Sequence, residues 1–142
     1  MAAMQPILNP GGAPPRLLFE VRLPPGVSPP VSDVKVDLHT EKNRMPGQLS
    51  RQEARDDGRR MVLAGSVELY YRSSWRLLEV KVPGQADRLF QLPLSASPRH
   101  AKAFGAWRRA DFVAEPGGAQ PRKAGASEAF EIRYRVAWTG ED

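Results

Sequence analysis

The chain contains no cysteine. That absence excludes a disulfide framework, a thiolate zinc site and a cysteine nucleophile. Histidine is nearly as scarce, with only His39 and His100 among 142 residues. The two lie far apart, and neither sits in the H-x-x-x-H or H-x-H spacing that brings imidazoles to one metal ion. The G-x-S-x-G elbow, the P-loop and the G-x-G-x-x-G turn are also missing. Gly117-Gly118 lacks the Lys-Ser/Thr that phosphate binding needs. No catalytic residue, metal ligand or cofactor is therefore assigned, and the expected class is non-enzymatic.

Long apolar runs are absent too. Nothing approaches the roughly 18 apolar residues of a membrane span. The opening MAAMQPILNPGGAPPR has no basic stretch followed by an apolar run of signal length. The expected location is cytoplasmic.

Proline and glycine are plentiful, at 14 and 12 residues. Eight of the prolines fall in the first 30 residues: Pro6, Pro10, Pro14, Pro15, Pro24, Pro25, Pro29 and Pro30. Proline fixes φ and lacks an N–H, so this stretch is neither helix nor central strand. Residues 1–15 read as an extended Pro-rich arm, with Ile7 and Leu8 as its strong apolar anchors. Such an arm either engages a partner groove or folds back to seal an edge of its own domain. Engagement of another protein is the expectation.

Residues 16–142 read as one domain. Phe19, Val21 and Leu23 alternate with Glu20 and Arg22, the period of a half-buried strand. The same alternation predicts strands over 33–39, 60–71, 75–82, 87–92 and 129–138, and a short one within 107–114 with Phe112 buried in the core. Pro93 marks an edge or a strand end. Residues 60–82 read as a β-hairpin turning near Arg72–Trp75. Residues 40–59 carry no period, and Ser50-Arg51-Gln52-Glu53 fits a capping box, which predicts a short helix or turn at 51–57. The expected core is Phe19, Val21, Val36, Leu63, Val67, Leu69, Phe90, Ile132, Tyr134 and Val136. About seven short strands with Gly/Pro turns and no long helix predict an all-β antiparallel sandwich, Ig-like or C2-like in architecture.

The net charge is +5. Segment 99–123 carries Arg99, Lys102, Arg108, Arg109, Arg122 and Lys123 against Asp111 and Glu115. A basic stretch of this kind attracts an anionic polymer or membrane surface. Tyr70, Trp75 and Trp107 fall outside the core parity and lie beside arginines or a strand end. Exposed aromatics in such places stack on sugars or on a protein partner. Asp33 and Asp37 bracket Lys35 on one strand, which reads as a solvated face rather than a calcium site.

The expected function is a protein-interaction module, an accessory or structural subunit of a larger assembly whose partner is another protein subunit. The candidate binding surface comprises Ile7, Leu8, Tyr70, Trp75, Arg99, Lys102, Trp107, Arg108 and Arg109. The alternative is a ligand-binding sandwich that recognises carbohydrate or an anionic polymer or membrane. Flat, aligned aromatics favour sugar; a continuous apolar patch favours protein.

Overall fold

Period-two alternation produces strands throughout the described residues. The structure, a computed structural model, describes residues 7–118 and 120–139, with the side chains of 52–54 left aside. Eleven strands run β1 (Arg16–Arg22), β2 (Lys35–Thr40), β3 (Arg44–Pro46), β4 (Gln48–Asp57), β5 (Arg60–Glu68), β6 (Arg76–Lys81), β7 (Asp87–Gln91), β8 (Arg108–Arg109), β9 (Phe112–Ala114), β10 (Arg122–Lys123) and β11 (Glu131–Ala137). The helical content of the described residues is one 3-10 turn at Val31–Asp33. None of their helices is long and apolar enough to cross a membrane.

The strands form two antiparallel sheets. The first has the order β4-β5-β1-β11-β8, and the second β10-β9-β7-β6-β2-β3. The all-β sandwich expected from the sequence is the fold observed. Its inner faces carry the parity read from the sequence: Leu17, Phe19 and Val21 on β1 oppose Val136, Tyr134 and Ile132 on β11. Val36 and Leu38 on β2 oppose Val80 and Leu78 on β6. Phe19, Phe90 and Phe130 are fully buried. Every expected core residue is buried except Tyr134, which is half-buried against the cluster, and Phe112, which is half-buried on β9.

The strands that change sheets differ from the expectation. Residues 60–82 are not a hairpin, because β5 belongs to the first sheet and β6 to the second. Alternation shows that each is a strand but does not encode its partner. The partners of β5 are β1, from 40 residues upstream in the chain, and β4. Residues 51–57 are not a helix either. They belong to β4, which pairs with β5 through Arg55↔Val62 and Asp57↔Arg60, with a register shift between Ser50 and Arg55. Gly58, at φ 69°, opens the two-residue turn that joins them. The chain crosses between the sheets twice more. The chain steps from β3 to β4 at Gly47, whose N–H bonds Val36 O at 2.7 Å. On the other flank it steps from β8 to β9, with Ala110 N–H bonded to Phe130 O and Asp111 N–H to Leu89 O.

Residues 7–15 lie against this sandwich. Ile7 bridges Tyr71, and Leu8 N–H donates to Tyr70 O at 2.9 Å. Leu8 is 6% exposed and belongs to the core cluster. Over these residues the fold-back course of the arm is the one observed; residues 1–6 lie outside the described residues.

Candidate functional site

The two outer faces of the sandwich differ in chemistry. On the first sheet, the outward positions of β1 and β11 are charged apart from Leu18 and Ala137, and the register sets Glu20 opposite Arg133 and Arg22 opposite Glu131. Glu20 accepts from Arg55 at 2.8 Å and pairs with Arg133 at 2.6 Å. Arg22 bridges Asp57 at 2.8 Å and Glu131 at 2.7 Å, and Arg60 reaches the same Glu131 oxygen at 2.8 Å. Burial works to raise the pKa of Glu20, and the hydrogen bonds and charges of Arg55 and Arg133 outweigh it, holding the carboxyl below its ordinary value. Trp107 lies over this ladder, with the Arg22 guanidinium 4.3 Å and that of Arg133 4.7 Å from its ring centroid. Phe104 stacks on Arg133 in the same way. The face is internally paired, and its cation–π contacts fasten the 101–107 loop to the sheet.

The second sheet's outer face divides in two. Across β3, β2 and β6 it is charged. Arg44 pairs with Asp37 at 2.8 Å, and His39 Nε2 lies 2.9 Å from Glu79. Across β6, β7 and β9, Leu77, Leu89 and Phe112 share it with Glu79, Gln91 and the Lys81–Asp87 pair. The register places Leu89 between Glu79 and Phe112, and Leu77 beside His39 and Gln91. Leu77, Leu89 and Phe112 floor a groove of about 600 Å³, with Trp75 at one end and Pro93, Leu94 and Pro121 on its rim. Trp75 is 50% exposed, the most exposed large apolar side chain of the described residues.

Local contacts fix the groove. Glu41 receives both the backbone N–H and the hydroxyl of Ser74, each at 2.6 Å. These two bonds lower its pKa to about 2 and anchor the residue before Trp75. Asp111 accepts Gln91 N–H at 2.7 Å, tying β7 to the strand that carries Phe112. Arg76 is 3% exposed, and its guanidinium donates to Ser95 O, Tyr71 O and Ala96 O. Burial lowers the pKa of Arg76, with Glu41 acting in the opposite direction. Arg108 also lines the groove, reaching Gln91 O at 3.3 Å and the Tyr134 hydroxyl at 3.5 Å.

Of the residues singled out in the sequence, Trp75 and Arg108 meet in this groove. The others go elsewhere. Leu8 is in the core, Ile7 pairs with Tyr71, and Tyr70 packs edge-on against Tyr71 with centroids 4.8 Å apart. Trp107 belongs to the first sheet's face, so it forms no platform with Trp75. Arg99 and Lys102 are exposed, and Arg109 donates to Ala126 O. Arg122 pairs with Glu115. The basic stretch is thus divided among separate contacts.

Sequence reading missed Leu77 and Leu89 and put Phe112 in the core, whereas Val113 is the inward residue of β9 and Phe112 is half-buried in the groove. The available signal was the doublets Leu77-Leu78 and Leu89-Phe90. In a strand, adjacent residues point to opposite faces, so an apolar doublet places one large apolar side chain on the outside.

His100 Nδ1 accepts Trp138 N–H at 3.0 Å, and its role is to hold the end of β11. Among the described residues, no three His, Asp or Glu side chains gather as a metal site would. Compared with known proteins, this two-sheet sandwich matches no family model, no curated protein and no solved structure.

Proposed function

We propose that the chain is a non-enzymatic protein-interaction module, an accessory or structural subunit of a larger assembly, and that it docks its partner through the groove beside Trp75. The observation that carries this reading is a groove on the outer face of a sheet that brings half-buried Leu77 and Phe112 and buried Leu89 together with a half-exposed tryptophan. A contiguous exposed apolar patch with a tryptophan anchor is characteristic of protein interfaces, where aromatic and arginine side chains carry most of the affinity. The surroundings are held rigid by the Glu41–Ser74 and Asp111–Gln91 contacts, which lowers the ordering cost of binding. Carbohydrate recognition has less support, because Tyr70, Trp75 and Trp107 do not form an aligned aromatic surface.

The test is retention of a co-purifying host protein by tagged wild-type chain, Trp75→Ala and Phe112→Ser. Both variants should fold as the wild type does and retain much less of that protein. Equal retention by all three removes the groove as the docking surface.

A further inference from the structure

We infer that the segment seated in the groove is an extended peptide of the partner, with apolar side chains on one face and a carboxylate beside them that meets Arg108. This inference rests on the reading that the groove is the docking surface, and it adds the chemistry of the occupant.

The first argument is charge. Among the described residues that line the groove none is a carboxylate, and Arg108 brings a guanidinium to it, whereas Arg76 has the inward parity of Leu78 and Val80. Arg76 is buried, and its hydrogen bonds go to carbonyl oxygens alone. Arg108 makes two long contacts, at 3.3 and 3.5 Å, to neutral oxygens. A guanidinium carries five donors in a planar fork that matches a carboxylate, so Arg108 has donors to offer.

The second argument is shape. The floor crosses β6, β7 and β9, two strand spacings of about 4.8 Å each, or roughly 10 Å. An extended chain sets its same-face side chains about 6.6 Å apart, so two alternate residues cover such a floor. The third argument concerns the class of ligand. The groove lies outside the sandwich, with the half-exposed Trp75 as one wall. Between the sheets, where an acyl chain would be enclosed, Phe19, Phe90 and Phe130 fill the space. An open groove with a cationic lining suits a peptide.

Three labelled synthetic peptides test this by fluorescence polarisation against the full chain. The first has Leu at two alternate positions with Asp on both sides; in the other two, Asn or Lys replaces Asp. Dodecanoate is titrated as a fourth ligand. The Asp peptide should bind about tenfold tighter than the Asn peptide, the factor that ~1.4 kcal/mol of charge-assisted hydrogen bonding supplies. The Lys peptide should bind weakest. Arg108→Gln, with its melting temperature checked, should abolish the Asp-over-Asn preference. Should that variant unfold, rising salt on the wild type should erase the same preference. Equal binding of all three peptides overturns the acidic assignment while leaving the groove reading intact. Dodecanoate binding that displaces every peptide overturns the peptide assignment. If no peptide binds, yet retention of the host protein still depends on Trp75, this inference fails and the proposed function stands. If that retention ignores Trp75 as well, both fail.

Discussion

Single residues decide how closely the two sheets and their strands approach. Gly65 lies opposite Phe19 in the β1–β5 register, and the phenyl ring crosses the space a side chain would take. A Cβ there would sit 2.7 Å from Phe19 Cζ and 2.6 Å from Gln48 O. Gly65→Ala should therefore destabilise the chain by about 1–3 kcal/mol, the usual cost of overpacking, read from urea denaturation. An unchanged midpoint would show that β4 gives way without cost. Glu20 makes a second residue-scale prediction. Its folded pKa is below the ordinary 4.5, so its ion pairs with Arg55 and Arg133 add stability above that value and lose it as pH falls through the folded pKa. Between neutral pH and about pH 5 this group adds no slope. Glu20→Gln should lower stability at neutral pH and flatten the acid limb below 4.5. Parallel acid limbs in the two proteins would show that Glu20 is not the group responsible.

At the scale of the element, alternation made most of the sandwich legible. Leu17, Phe19 and Val21, and Ile132 and Val136, announce β1 and β11 because each strand has one wet and one dry face. What alternation does not carry is the partner, which is why β5 and β6 read as a hairpin although they lie in different sheets. β4 was hidden for another reason. It is an edge strand with charged residues and an irregular register, so the pattern of 48–57 has no period, while Gly58 at the first turn position does mark its end. The arm shows the limit of composition. Its prolines predict an extended course, and nothing in them tells whether Leu8 faces a partner or its own core. Leu8 is in the core, so Leu8→Ala should lower stability by about 2–3 kcal/mol in thermal or chemical unfolding. A loss below about half a kcal/mol would mean that residues 7–15 detach freely in solution.

At the scale of the whole molecule, the sandwich has two outer faces with opposite uses of arginine. On the first, arginines are neutralised by Glu20, Asp57 and Glu131 and stacked beneath Trp107 and Phe104. On the second, Arg108 lines a groove in which no described carboxylate takes part, while Arg76 is spent on carbonyl oxygens. Trp75 and Arg108 were legible as candidates from their position at a strand end and in a basic stretch. Leu77, Leu89 and Phe112 acquire meaning only when three strands distant in sequence are set side by side. The central claim is that the second face is the one used. Amide hydrogen exchange of the chain, alone and with its co-purified partner, tests it most directly. The account predicts protection concentrated in 74–77, 89–94 and 108–112, with the first sheet unchanged. Protection over β1 and β11, with 74–77 and 89–94 unaltered, would contradict it.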